Sequence, residues 1–184
     1  PVLLAVALAA AAAAGRHALH AAAARRHAAT RLATLRITLA EFDAMGHEEF
    51  EYALRDLLIR DGWPARTVGR GGGGGGGGAR AAEVIGEVIG DDAWRGRIVV
   101  QARHTRTGAA VGSSVMHEVK GTAGPVHRAD HAVVVTNGGF TQDAKAWGDR
   151  HGVRWIDREL LRRWAEQGSP LADLLRLPPD PLHT

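Results

Sequence analysis

After residue 41, the pattern of apolar and polar positions predicts alternating helices and strands. Apolar residues spaced three or four apart indicate helices, and short apolar runs bounded by turn residues indicate buried strands. The expected helices are residues 46–61 and the segments VGSSVMHEVKGTAGPVH, TQDAKAWGDRHG and RELLRRWAEQ. The expected strands are residues 65–68, residues 82–85 and the segments RIVVQAR, HAVVVT and VRWID. This order predicts an α/β fold, a mixed central sheet flanked by helices.

Capping signals set the expected ends of three helices. Asp61 and Gly62 are typical of a helix C-terminus and end the first helix. Ser113 or Ser114 is expected to cap the second, and Thr141 is expected to cap the third, because hydroxyl oxygens accept from free backbone amides there.

Eight consecutive glycines, Gly71–Gly78, precede the second expected strand. Such a run has a large ordering cost and predicts a loop. It matches G-x-G-x-x-G trivially, but a strand follows it, whereas a dinucleotide site requires a helix. No Gly-Lys-Ser/Thr follows either, so the run does not indicate a phosphate-binding loop. The next two apolar runs, joined by turn residues, predict a β-hairpin.

The N-terminal region differs from the rest of the chain. Residues 1–14 are uninterrupted apolar, which is shorter than the roughly 20 residues that span a bilayer. We expect either the end of a membrane segment or an alanine-rich helix. Residues 16–40 indicate a further helix or a connector ahead of the domain. The expected division is therefore an arm of residues 1–40, a domain of residues 41–168 and a proline-rich tail of residues 169–184, whose end LPPDPLHT is expected to be disordered.

Charge and composition exclude several classes of protein. The formal net charge is +3, but residues 1–40 contain five arginines and no acidic residue, which leaves −2 for the remainder. Binding of a polyanion by the domain must therefore use a local patch. Cysteine is absent, which excludes disulfides and thiolate-bound zinc. The ten histidines form no H-E-x-x-H motif, and the two serines at 113 and 114 lack a nucleophile-elbow context.

The candidate chemistry lies on the expected hairpin. Gln101 and Arg103 are one residue apart, so a strand presents them on the same face. Glu83 lies on the partner strand, and Glu51 lies on the first helix. A carboxylate beside an amide oxygen provides the hard ligands that Mg²⁺ prefers. The spacing alone also fits polar residues at strand ends that reach solvent.

Five pieces of the chain resemble the Mrr-type restriction endonuclease domain, a branch of the PD-(D/E)xK nuclease superfamily. They are MGHEEFEYALRDLLIRDGW, AEVIG after a glycine-rich turn, RIVVQAR, VMHEVKGTAG and ADHAVVVTNGGFTQDAKAWGDRHGVRWIDRELL. The most specific is the last, in which a strand ends in Thr-Asn-Gly-Gly-Phe-Thr and a helix leads to Val-x-x-Ile-Asp. The resemblance covers about two thirds of the chain and implies a restriction-endonuclease-like fold, preceded here by an N-terminal helix.

The resemblance also implies an activity, Mg²⁺-dependent cleavage of double-stranded DNA, modified or not. Glu83 matches the family's metal-binding aspartate, Gln101 and Arg103 match its Gln-x-Lys pair, and Glu51 matches its first-helix glutamate. Gln101 is expected to share the metal ion with Glu83, and Arg103 to lie against the scissile phosphate. Arg106 is expected to bind backbone phosphates. A homodimer, a cytoplasmic location and a tether at the inner membrane face are further expectations.

Two departures from the family pattern affect the expected activity. Glutamate replaces aspartate at Glu83, and arginine replaces lysine at Arg103. An arginine cannot be deprotonated at working pH, so it cannot act as a base. Lys120, on the following helix, is a candidate for a displaced ammonium group. Three alternatives remain open: an active nuclease, a DNA-binding relative with a defunct site, and a membrane-anchored interaction module.

Overall fold

A computed structural model describes residues 23, 30–68, 83–86 and 96–177; for residues 83–86 it describes the backbone only. The helices are α1 (Leu39–Ala44), α2 (His47–Arg60), α3 (Ser113–Ala123), α4 (Gln142–His151), α5 (Arg158–Ala165) and α6 (Leu171–Leu174). The strands are β1 (Ala65–Val68), β2 (Glu83–Gly86), β3 (Ile98–Arg103), β4 (His131–Thr136) and β5 (Val153–Ile156).

The five strands form one mixed sheet in the order β1-β2-β3-β4-β5. β1, β2 and β3 pair antiparallel, whereas β3, β4 and β5 pair parallel. The helices α3 and α4 supply the crossovers that parallel strands require. The predicted α/β fold with a mixed sheet is confirmed, and so is the predicted β2–β3 hairpin pairing.

Two apolar layers cover the two faces of the sheet, and β3 contributes to both because its side chains alternate. Ile98, Val100 and Ala102 pack in the layer formed with α1, α2, α5 and α6. Val99 packs in the layer formed with α3 and α4. The central strand is therefore buried on both sides, which explains the uninterrupted apolar residues Ile98, Val99 and Val100 at its start.

The helix ends agree with two of the three capping predictions. Asp61 is the C-cap of α2, and Thr141 caps α4 by accepting from Ala144 N at 3.2 Å. The prediction for Ser113 or Ser114 is wrong: the N-cap of α3 is Gly112, without a side-chain hydrogen bond. The bridge between Val111 and Phe140 holds the chain just before this glycine, so the helix begins at the first serine.

The region before α1 is not one continuous helix. Residues 30–32 are helical, but residues 35–38 are not. Thr38 and Glu41 form a reciprocal capping box, with Thr38 N donating to Glu41 Oε2 at 2.7 Å. This box starts a new helix at Leu39, and residues 35–38 form a non-helical connection before it. Ile37 is buried in the core, so packing begins before residue 41.

The packed unit also extends past residue 168. Leu171, Leu175 and Leu177 are buried in the α2–α5 layer, so the first part of the expected tail packs with the core. The apolar run 1–14, the glycine run, the hairpin turn and residues 178–184 lie outside the described residues. In the part of the chain that the structure does describe, no helix is long and apolar enough to cross a membrane.

A buried ion pair at the end of α2 joins this helix to three other segments of the chain. Asp61 accepts from Arg60 Nε at 2.8 Å, from Trp164 Nε1 at 2.8 Å and from the backbone N of Leu171 at 2.7 Å. Arg60 also donates to the carbonyl oxygens of Leu35 and Trp164. Both charged side chains are almost fully buried. The pair therefore ties α2 to α5, to α6 and to the segment before α1.

We expect Asp61→Asn to lower the free energy of unfolding by about 3 kcal/mol, because it leaves the Arg60 guanidinium buried without its carboxylate. Urea denaturation measures the change. The matched control is Asp56→Asn, which breaks the partly exposed Arg55–Asp56 pair and should cost under about 1 kcal/mol. Equal losses in the two variants would contradict this account.

Candidate active site

The central strand β3 presents Gln101 and Arg103 to the layer of α3 and α4. They share the face of Val99, as the alternation predicts. The Gln101 side chain does not reach solvent, because the residue is only 2% exposed. Its Nε2 has no hydrogen-bond partner among the described residues. A buried N–H donor without a partner is uncommon in proteins.

Arg103 is held by a residue that the sequence analysis did not identify. Its Nη2 donates to Glu118 Oε2 on α3 at 2.8 Å. Its Nε is buried and finds no acceptor in the described part of the chain. Glu118 is adjacent to Val119, which is buried against the sheet. Its position beside a buried residue of α3 indicates that Glu118 lies near the sheet. The sequence does not reveal which strand residue Glu118 contacts.

Glu83 is positioned by the backbone register of the hairpin. Its Cα lies opposite the Cα of Gln101 in the antiparallel pairing. Directly opposed positions belong to the same face of a sheet. The register thus assigns positions 83, 101 and 103 to one face, while the Glu83 carboxylate itself lies outside what the structure describes.

Glu51 lies on a helix that packs against the opposite face. It is partly buried and follows the fully buried Phe50 on α2. His47, one turn earlier, contacts the ring of His104 with 5.4 Å between the ring centroids. His104 follows directly after Arg103, so α2 borders the end of β3. The structure therefore brings the helix of Glu51 to the end of the strand, but on the other side of the sheet.

Asn137, from the Thr-Asn-Gly-Gly motif, fixes the chain that follows Arg103. Its Oδ1 accepts from the Thr105 backbone N at 2.8 Å, and its Nδ2 donates to the Thr105 carbonyl oxygen at 2.9 Å. The residue is 2% exposed. Arg106, the next residue in this loop, is exposed. Sequence reasoning quoted the motif but did not assign this role, because the contact spans two strands.

A second ion pair lies beside this loop. Asp43 receives two hydrogen bonds from Arg158, each at 2.7 Å, and a third from Asn137 Nδ2 at 3.0 Å. The hydrogen bonds from Arg158 hold the pKa of Asp43 below its ordinary value, more than its slight burial raises it. Arg158 in turn has its pKa raised by Asp43. The pair connects α1 with the start of α5 at the carboxyl ends of β3 and β4.

Lys120 does not take the position next to Arg103. It lies two residues after Glu118, which is about 200° around the helix, and its side chain is exposed. Among the described residues, which exclude the carboxylate of Glu83, no three His, Cys, Asp or Glu side chains are close enough to hold a metal ion.

The family model described as "Restriction endonuclease", Mrr_cat, matches residues 42–165. The chain therefore belongs to the Mrr-type restriction endonuclease family, and the predicted resemblance is confirmed. The domain has a nuclease fold. A comparison with curated proteins found no match.

A comparison with solved structures gave two matches. One, a protein of unknown function designated AF1548, is 13% identical over 70% of this chain and 67% of its own, with a TM-score of 0.49. The other is the MspJI restriction endonuclease in complex with a 27-mer oligonucleotide. It is 20% identical over 74% of this chain, with a TM-score of 0.43, and this chain spans about a third of its length.

The Asp43–Arg158 pair predicts a defined dependence of stability on pH. The pKa of Asp43 in the folded protein lies below its ordinary value of 3.8, so the pair stabilises the fold above that value. The contribution is lost as the pH falls through the lowered folded pKa. We expect the free energy of unfolding of the wild type to fall more steeply than that of Asp43→Asn below about pH 4, by under about 1 kcal/mol because the pair is partly exposed.

Urea denaturation at several pH values between about 6 and 3 measures this difference. Glu41, whose pKa is lowered by hydrogen bonds from Thr38, titrates in both proteins and cancels from the comparison. If the free energy of unfolding depended on pH equally in the two proteins, the stabilisation of the ionised Asp43 by Arg158 would be contradicted.

Proposed function

We propose that this protein is a Mg²⁺-dependent endodeoxyribonuclease of the Mrr restriction type, which hydrolyses phosphodiester bonds in double-stranded DNA. The observation that supports this most is the buried Gln101, whose Nε2 lacks a partner among the described residues, on the same face as Arg103. The register with Glu83 adds a carboxylate position to that face. Membership of the restriction endonuclease family supports the same reaction.

The residues fit a hard divalent cation. A carboxylate at Glu83 and the amide of Gln101 provide oxygen donors, and Mg²⁺ needs few protein ligands because it retains several waters. Exchange of the amide oxygen and nitrogen by a half turn allows Gln101 to present its oxygen. A bound Mg²⁺ ion would supply Lewis acidity and a more acidic water.

The other residues have separate roles in this proposal. Arg103 binds the scissile phosphate and stabilises the negative charge that develops on it, because its guanidinium remains protonated. Glu51 assists from the helix that borders the end of β3. Arg106 is exposed in the loop after β3, where it contacts backbone phosphates without reading sequence.

The proposed membrane tether and homodimer involve a segment and a second copy of the chain that the structure does not describe. A tether at the inner membrane face would rest on residues 1–14, and a homodimer would rest on a second copy of the chain. The chemistry at β3 requires neither. DNA binding relies on a local patch, because residues 41–184 together have a formal charge of −2.

We expect the wild type to nick or linearise plasmid DNA with Mg²⁺, and Glu83→Ala to lose activity by about 100-fold or more, because the metal ion loses its carboxylate. Gel electrophoresis of the plasmid measures cleavage. The control is Glu159→Ala, which removes an exposed glutamate from α5 and should leave cleavage unchanged. Equal cleavage by the wild type and Glu83→Ala would end the assignment of Glu83.

A second candidate function is DNA binding without cleavage. The specific observation that favours it is the 2.8 Å contact between Arg103 and Glu118, which engages the side chain that replaces the family's lysine. An arginine whose charge is balanced by a neighbour can still hold a phosphate, but it cannot transfer a proton.

Calorimetric titration with Mg²⁺ or Mn²⁺ separates the two candidates. The nuclease is expected to show metal-dependent heat that Glu83→Ala abolishes. The non-catalytic relative is expected to show no such heat, while its binding to duplex DNA weakens as salt rises. Absence of both metal-dependent heat and DNA binding at low salt would contradict both candidates and favour an interaction module.

A further inference from the structure

The contact between Arg103 and Glu118 stabilises the fold little, yet it orients a side chain of the candidate site. The Glu118 side chain is 48% exposed and the Arg103 side chain 22% exposed, and such pairs contribute at most about 1 kcal/mol. The backbone of Glu118 is held in place, because its neighbours Met116 and Val119 are fully or almost fully buried against the sheet. A rigid helix thus holds a carboxylate against the last residue of β3.

The geometry leaves part of the guanidinium available for a ligand. Arginine carries five N–H donors in one plane. Glu118 engages Nη2, whereas Nε is buried and has no acceptor in the described chain. A buried N–H of a charged group normally has an acceptor. A phosphate oxygen in the guanidinium plane would supply it.

The difference between arginine and lysine explains why orientation matters at this position. A lysine ammonium is a compact charge that bonds an oxygen from any direction, whereas a guanidinium bonds well only in its plane. Replacing the family's lysine by Arg103 therefore adds a requirement, namely that the plane be fixed. Glu118 meets this requirement from the facing helix.

We infer that Glu118 is a positioning residue, which sets the plane of the Arg103 guanidinium so that its free donors face the scissile phosphodiester. This inference rests on the proposed nuclease function. Glu118 acts through Arg103 and does not itself contact the DNA. Its effect should therefore disappear when residue 103 no longer has a plane to orient.

The test is Glu118→Gln, made in the wild type and in Arg103→Lys. In the wild type we expect kcat for plasmid nicking to fall on the order of tenfold, with KM for DNA unchanged or lower. In Arg103→Lys, which has no guanidinium to orient, the same substitution should change kcat by less than about twofold. An equal fall in kcat in both backgrounds would overturn the inference.

A readout without cleavage separates this inference from the proposed function. Nitrogen-15 NMR measures exchange of the Arg103 Nε–H with water, and the Arg103→Lys spectrum identifies the signal by its loss. Glu118→Gln should speed this exchange about threefold. The matched control is Glu159→Gln, which breaks the Arg162–Glu159 pair on α5 and should change neither exchange nor kcat.

The cleavage measurement and the NMR exchange measurement give results that can be told apart. A wild type that fails to cleave DNA, with exchange accelerated in Glu118→Gln, would end the nuclease proposal and leave the positioning of Arg103 supported. Unchanged exchange in Glu118→Gln would overturn the positioning role, whether or not the wild type cleaves DNA.

Discussion

The two-sided burial of β3 is the constraint on which the rest of the structure depends. This strand has an antiparallel neighbour on one side, a parallel neighbour on the other and an apolar layer on each face. Because side chains alternate along a strand, every residue of β3 is assigned to one of two layers. A shift of one residue would move Gln101 and Arg103 into the opposite layer, so the apolar residues around them also fix the faces of the polar pair.

Placing polar groups on such a strand has an energetic cost. An amide group buried without a hydrogen bond destabilises a protein by about 1–3 kcal/mol. The Nε2 group of Gln101 is in this position, whereas Asn137, buried to the same extent, accepts a hydrogen bond at Oδ1 and donates one from Nδ2. The contrast separates two kinds of buried amide. Asn137 holds the fold together at the ends of the strands, and Gln101 has the unsatisfied chemistry expected of a binding site.

Polar contacts at the ends of the strands make this arrangement rigid. Asn137 joins the chain after β3 to the end of β4, and Asp43 with Arg158 joins α1 to α5 beside it. On the far side of the α2 layer, Asp61 links three segments through one carboxylate. Of these contacts, those of Asn137 with Thr105 hold the chain directly after Arg103 and His104. In our proposal, Glu118 then orients the plane of the Arg103 guanidinium.

The sequence by itself determined the strands and most of the helices, the mixed sheet and the shared face of Gln101 and Arg103, because periodicity and alternation are local properties. It missed Gly112 as the N-cap of α3 and the new helix at Leu39, where a backbone bridge and a capping box override the composition. Only the tertiary structure decided that Glu118 meets Arg103 and that Asp43 meets Arg158 across 115 residues. Such contacts depend on how each helix is rotated on the sheet, and that rotation is fixed by the packing of the whole core.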